Sequence, residues 1–309
     1  MTARMHKIRL QCLPDSLDAA TRLAFRLAVA AEPIALHRFP DGELRATVSP
    51  PAATTIIYAS LNQPNEKLIS LLFAAEALRR NGASRLILVA PYLCYMRQDK
   101  AFQPLEGLSQ KVIGSLLSGI VDRVLTVDAH LHRTKDIRDV FPGIAADDLS
   151  AMPAIAAHLQ ASNLDPATIL LGPDEESRAW VSKLAGHLGV AFAVAKKTRQ
   201  GDQSVRITLP DQDLSSRPIL LVDDIVSSGG TLMTCARMLK SAGVGTIDAI
   251  VTHALFPADQ TKEFARAGIR SARSTDSVRH PTNAIPLAAT LADALRDELN
   301  DRDPKELLP

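Results

Sequence analysis

Residues 219–232 read ILLVDDIVSSGGTL. Four apolar residues of strand length run into two adjacent carboxylates, then into two serines, two glycines and a threonine. Like charges side by side repel, and paired glycines raise the entropy lost on folding. A gain from ligand binding offsets both penalties. Gly229 and Gly230 allow a tight turn after the strand, and the helical pattern TLMTCARMLKSAG follows at once. Free amides at a helix start, with the hydroxyls of Ser227, Ser228 and Thr231, form a cradle for a phosphate. The helix dipole alone contributes only about 0.3–1 kcal/mol, so amides and hydroxyls supply most of the hold. Asp223 and Asp224 would repel that phosphate, but carboxylates accept hydrogen bonds from vicinal hydroxyls. A sugar carrying a phosphate satisfies both halves of the stretch, whereas a plain capped turn has no need of two carboxylates there.

Outward from this stretch the same alternation recurs. TTIIYASL (54–61), SRLILVAPY (84–92), RVLTVDAH (123–130), ATILLGPD (167–174), GVAFAVAKK (189–197), PILLVDD (218–224) and TIDAIVTHALF (246–256) have strand length and aliphatic content. NEKLISLLFAAEALRRNG (65–82) is predicted helical: Leu68, Leu72, Ala75 and Leu78 share a face, and Gly82 marks the stop. Similar helices are expected over 105–120, 151–162, 177–188, 230–242 and 287–299. Strand–helix alternation predicts parallel sheets covered on both faces. A polar break with Pro and Asp near 141–153 is read as the joint between two α/β domains. No strong internal repeat is evident, although Val127-Asp128 and Val222-Asp223 both end apolar runs in aspartate.

The 309 residues are 46% hydrophobic and 22% charged, with a formal net charge of +1. That charge predicts no broad footprint for nucleic acid or anionic membrane, so anion recognition is local. Cys12, Cys94 and Cys235 lack metal-ligand spacing and are expected to be reduced thiols. Neither an apolar leader core nor an apolar run of membrane-spanning length is present. A cytoplasmic location is expected.

The segment VDDIVSSGGT resembles the phosphoribosyl diphosphate (PRPP) loop shared by phosphoribosyltransferases and PRPP synthases. Four further segments stand in the order and approximate spacing of the PRPP synthase (ribose-phosphate diphosphokinase) family, its archaeal-type or divergent members in particular. RFPDGELR (38–45) resembles its adenine-nucleotide segment, which implies that Phe39, Asp41 and Glu43 serve ATP, usually that of a neighbouring subunit. PYLCYMRQDK (91–100) implies ATP contacts from Arg97 and Gln98. VDAHLH (127–132) implies that His130 helps hold magnesium–ATP. KKTR (196–199) resembles the catalytic flexible loop, giving Lys197 and Arg199 the catalytic role. Pro173-Asp174 matches a segment that contributes to magnesium binding, so His130 and Asp174 are the implied metal residues. The resemblance implies two tandem phosphoribosyltransferase-like α/β domains, each a mainly parallel sheet flanked by helices. Their expected bounds are 1–148 for the ATP segments and 149–287 for the PRPP and catalytic loops; a C-terminal helix and tail, 288–309, is expected to pack back on the first domain. It also implies transfer of the β,γ-diphosphoryl group of ATP to the anomeric hydroxyl of ribose 5-phosphate, Mg²⁺ as cofactor, and a homo-oligomer, dimeric or larger.

Each segment also has a residue-level reading. Asp-Gly after Pro in FPDGE is turn chemistry. Arg97 suits bidentate phosphate recognition or stacking on a base. Three cations at 196–199, ahead of TRQGDQS with no strong helix or strand signal, suit a mobile arm over an anionic transition state. Departures are specific. Glu175-Glu176-Ser177 stand where the family has two glycines, adding two negative charges near an anionic ligand, and Ser227-Ser228 stand where Asp-Thr is frequent. The tail lacks the serine-rich end of phosphate/ADP regulation, so that allostery is not expected. A phosphoribosyltransferase, a non-catalytic regulatory homologue and a kinase acting on a related pentose phosphate are the competing readings.

Overall fold

The computed structural model describes residues 8–101, 103–131, 133–200, 204–210 and 213–299, with backbone alone for 197–200 and 204–207. The chain divides into two units. The first takes in the described residues up to Ser150 together with Ser277–Arg279 and those from Pro286 on; the second takes in Ala151–Asp276 and His280–Ile285.

The first unit is built on a parallel sheet of β1 (Ile8–Cys12), β2 (Ala31–Pro33), β5 (Thr54–Tyr58), β6 (Arg85–Val89), β7 (Arg123–Val127) and β8 (Ala145–Leu149), in the order β2-β1-β5-β6-β7-β8. Between β2 and β5 the chain makes an antiparallel hairpin of β3 (Ala35–Arg38) and β4 (Leu44–Thr47). Its helices are α1 (Leu17–Leu27), α2 (Pro64–Arg80) and α3 (Ser109–Ser118). Ile57, Leu86, Leu88 and Val124 pack with Leu71 and Leu78 of α2 and Leu117 of α3. The alternate residues Ile56, Ile87 and Leu125 are equally buried, as period-two side chains must be when both faces are covered.

The second unit repeats the plan. Its parallel sheet has β9 (Ile169–Gly172), β10 (Ala191–Val194), β13 (Ile219–Val226), β14 (Ile247–Ala254), β15 (Ser271–Thr275) and β16 (Asn283–Ile285), in the order β10-β9-β13-β14-β15-β16. The hairpin excursion is repeated by β11 (Lys196–Gln200) and β12 (Ser204–Thr208). Its helices are α4 (Met152–Ala161), α5 (Arg178–Leu188), α6 (Gly230–Ser241) and α7 (Gln260–Ala267). Two short helices, α8 (Ala288–Ala294) and α9 (Arg296–Leu299), belong to the first unit. There Glu298, with a side chain 5% exposed, accepts from Arg85 Nη2 at 2.7 Å and Arg123 Nη1 at 3.0 Å.

Several expectations change. The polar stretch 141–153 contains β8; AADDL lacks an aliphatic run because it is an edge strand held to β7 by backbone pairing, with only Ala146 buried. Ile8–Cys12 is a central strand missed because of Gln11, which is fully buried yet exchanges two hydrogen bonds with the Ser49 backbone at 2.7 and 3.0 Å. The run 189–197 is not one strand: β10 ends at Val194 and Lys196 opens the ribbon. Within that ribbon Lys197 pairs with Ile207 and Arg199 with Val205, so the basic segment has strand backbone that its polar composition concealed. The 287–299 helix is broken at Leu295. An internal repeat exists in topology, but Val127-Asp128 ends β7 whereas Val222-Asp223 lies in β13, and these strands hold different places in the repeated order.

Candidate active site

In the second sheet the chain leaves β9 for β10 on one side and returns with β13 on the other. Such a reversal opens a crevice outside the carboxyl ends of the two strands, where open parallel sheets bind ligands. Register Leu221↔Leu171 brings Asp223 and Asp224 level with the segment after β9, Pro173-Asp174. β13 does not stop at the aspartates; it runs through them to Val226, so both are held on strand backbone. Each accepts a local amide: Asp224 N donates to Asp223 Oδ1 at 3.0 Å and Ile225 N to Asp224 Oδ1 at 2.7 Å. Burial, then the negative charges of Asp224 and Asp174, push Asp223 well above the usual carboxylate range. Three carboxylates therefore share one crevice.

The loop after β13 has Ser227 and Ser228 exposed, and Gly229 as the residue capping α6. Gly229 has φ +73°, and a Cβ there would stand 2.7 Å from Cζ of buried Phe264. Both backbone and space demand glycine. Gly230 opens the helix, Thr231 is half-buried behind it, and Met233 N donates to Gly229 O at 2.9 Å. Earlier first-turn amides have no intrahelical acceptor. Across the crevice, the glutamates that replace glycine are partly compensated: Arg178 Nη2 donates to Glu175 Oε2 at 3.1 Å. Asp174 caps a short 3-10 turn, Glu175–Ser177, and its carbonyl accepts Ser177 Oγ at 2.6 Å. A Cβ on Gly172 would sit 3.1 Å from the Ser177 Cβ, so β9 needs glycine at its end for this turn to close.

The corresponding crevice of the first unit, between β1 and β5, is arranged otherwise. Lys67 Nζ lies 2.7 Å from Ser60 O, 2.7 Å from Asn62 Oδ1 and 2.5 Å from Asp15 Oδ2, with its side chain 15% exposed. A resident ammonium stands where the second unit presents a glycine turn.

The remaining predicted residues of the first unit form two groups. Phe39, Asp41 and Glu43 lie at the β3–β4 hairpin tip: Phe39 N donates to Glu43 O at 2.8 Å, and Glu43 N to Asp41 Oδ1 at 3.1 Å. The Phe39 ring packs edge-on against His37 at 4.7 Å, with the Arg45 guanidinium 5.9 Å from its centroid. Arg97 and Gln98 follow β6, and His130 follows β7, its neighbour in the sheet. Asp128 has φ +42°, and Asp148 Oδ1 in β8 accepts Ala129 N at 2.9 Å, shaping the turn that presents His130. Burial, and secondarily Asp128, raise Asp148 to about 7. Exposed Arg97 and half-exposed Gln98 are tied to that turn through Asp99, which accepts Arg133 N at 3.0 Å and Arg133 Nη1 at 2.7 Å. Asp99, Gln110, Arg133 and Asp148 escaped the sequence reading; Asp99 adjoins the predicted Gln98 and Arg133 stands three residues after the predicted His130, but their contact spans 34 positions. The side chains of Lys197 and Arg199 lie outside the described residues. No group of three or more His, Cys, Asp or Glu side chains with metal-binding geometry occurs among the described residues.

A parallel sheet with a carboxylate pair, a glycine turn and a helix start at its point of reversal is the arrangement of a phosphoribosyltransferase-like domain. Comparison agrees: residues 149–274 match the phosphoribosyl transferase domain, and residues 8–120 match the N-terminal domain of ribose phosphate pyrophosphokinase. A ribose-phosphate pyrophosphokinase of Methanopyrus kandleri is 31% identical over 285 residues, covering 92% of this chain and 97% of its own. Ribose-phosphate pyrophosphokinase 2 of Archaeoglobus fulgidus is 31% identical, covering 91% and 97%. The crystal structure of a phosphoribosylpyrophosphate synthetase from Mycobacterium smegmatis shares the fold, with TM-score 0.81 at 24% identity, over 94% of this chain and 98% of that one. The chain belongs to the ribose-phosphate pyrophosphokinase family.

Proposed function

We propose that the chain transfers the β,γ-diphosphoryl group of ATP to the anomeric hydroxyl of ribose 5-phosphate, giving PRPP and AMP. The observation that carries this reading is the crevice between β9 and β13, where Asp223 and Asp224 stand on one strand ahead of the Gly229 turn. Asp223 and Asp224 accept hydrogen bonds from the ribose hydroxyls, while Ser227, Ser228, Thr231 and the amides of Gly229 and Gly230 hold the 5-phosphate. The Lys67 arrangement supports assigning the sugar phosphate to the second unit alone, because an ammonium already bonded to Asp15 has little charge to offer another anion. Arg97, Gln98 and His130 serve the triphosphate, with Phe39, Asp41 and Glu43 serving the adenine nucleotide of a neighbouring copy in a homo-oligomer. Lys197 and Arg199 supply positive charge as negative charge develops on the transferring group, the main electrostatic task in such a reaction.

The donor set at the crevice fits Mg²⁺. Hard carboxylate oxygens are its preferred ligands and it needs few of them, and the crowding of Asp223 by Asp224 and Asp174 supports a cation there. Asp174 would hold it in this crevice, His130 would contact magnesium carried by the triphosphate, and the ion would supply charge neutralisation. An assay for AMP formed from ATP and ribose 5-phosphate tests the proposal. Mass spectrometry across a panel of pentose phosphates identifies the acceptor. Release of diphosphate from PRPP and a base, without AMP, would establish a phosphoribosyltransferase instead. No helix among the described residues is long and apolar enough to cross a membrane, and a cytoplasmic location suits an enzyme acting on these metabolites.

A further inference from the structure

We propose that Asp99 is a positioning residue that locks the loops after β6 and β7 into one ATP-binding surface, acting through Arg133; this rests on the ATP reading of Arg97, Gln98 and His130. Among the described residues these loops carry no strand pairing of their own, so side-chain bonds do much to set their separation. The Asp99 side chain is only 2% exposed, and both its oxygens are spent on one residue: Oδ2 accepts Arg133 N at 3.0 Å and Oδ1 accepts Arg133 Nη1 at 2.7 Å. A second bridge runs parallel to it. Gln110, buried in the first turn of α3, donates from Nε2 to Met96 O at 3.3 Å and accepts Thr134 Oγ1 at 2.8 Å. Its backbone N donates to Gln98 O at 3.2 Å, and Ser109 Oγ donates to Gln98 Oε1. Thus the residue before Arg97 and the residue after Arg133 share one buried amide, while the residue after Gln98 grips Arg133 directly.

A general role in stability accounts poorly for this pattern. The Arg133 side chain is 55% exposed, and ion pairs with one solvated partner contribute little to folding. Geometry is what the clasp provides. Arg97–Gln98 and His130 flank it, and a nucleotide meeting both must find them at a fixed separation. Misplacement of catalytic or binding groups by about 1 Å costs roughly 100-fold in such sites, so even partial loosening is measurable.

The test uses steady-state kinetics and thermal melting of the full chain and its Arg97→Ala, Asp99→Ala, Asp99→Asn, Arg133→Ala and Asp99→Ala/Arg133→Ala variants. Asp99→Ala is expected to raise KM for ATP about tenfold or more, with KM for ribose 5-phosphate within about twofold of the parent and little change in melting temperature. Arg133→Ala, which keeps the backbone amide donating to Oδ2, and Asp99→Asn, which keeps one acceptor, should both fall between the parent and Asp99→Ala, and the double variant should be no worse than Asp99→Ala. If Arg97→Ala raises KM for ATP but Asp99→Ala does not, the clasp is refuted and the ATP reading stands. If Arg97→Ala itself leaves KM for ATP unchanged, the ATP reading falls and the clasp with it. Additive single effects, or parallel losses for both substrates with a large drop in melting temperature, would also overturn the proposal.

Discussion

Replacing Gly229 by alanine tests the central turn with a magnitude worked from the structure. An alanine at φ +73° adopts left-handed backbone, which costs about 1–2 kcal/mol. Its methyl would stand 2.7 Å from Cζ of Phe264, which is 1% exposed and packed edge-on against Phe256 with ring centroids 4.9 Å apart. Phe264 has no solvent to move into, so overpacking adds about 1–3 kcal/mol. Together the change destabilises the second unit by about 2–5 kcal/mol. Trp180, the sole tryptophan, lies in α5 of that unit and reports its urea unfolding by fluorescence. With a typical slope of about 1–3 kcal/mol per molar urea, the midpoint should fall by about 1 M or more. Gly230→Ala is the matched control. Its Cβ would meet nothing closer than Ser228 Oγ at 3.7 Å, so stability should hold or rise by up to about 1 kcal/mol. Only KM for ribose 5-phosphate should then suffer, as the methyl intrudes on the amide cradle. A Gly229→Ala protein with an unchanged midpoint would refute the reasoning.

Further outcomes follow from the same geometry. Lys197→Ala should lower kcat by about 10³ or more while calorimetry finds ribose 5-phosphate binding near normal; retained turnover would mean the ribbon is misassigned. Asp223→Asn should abolish turnover yet raise the melting temperature in magnesium-free buffer at pH 8, because it removes a buried carboxylate crowded by Asp224 and Asp174, and added Mg²⁺ should stabilise it less than the parent. Glu298→Ala should cost about 3–5 kcal/mol by leaving Arg85 and Arg123 without their shared buried partner. Burial opposes ionisation of Glu298, but the two arginines outweigh it and hold its pKa below the usual value. That contribution is present above the unfolded glutamate range, about pH 4.3, and is lost as pH falls through the lower folded value; the variant should therefore show a weaker acid transition. Asp148 has the opposite sign. Raised to about 7, it takes up a proton on folding, so stability should decline from about pH 4 to pH 7 in the parent and less in Asp148→Asn.

The sequence by itself determined the parts whose causes are local. Runs such as LILV and ILLV must bury, Gly-Gly must turn, and a helix pattern starting at once must offer its amides there; the strand–turn–helix unit was legible in one stretch, and the α/β class in the alternation along the chain. Tertiary structure decided what depends on partners distant in sequence. Gln11 belongs in a central strand only because Ser49 meets both ends of its amide, and AADDL is a strand only because β7 pairs with it. Asp174 joins Asp223 across the point where sheet order reverses, and Asp99 finds Arg133 from the next loop. Polar residues announce their intrinsic chemistry in sequence, but burial and charge neighbours arise from chain segments brought together by folding. Those neighbours set whether a carboxylate is a cap, a clasp or a site.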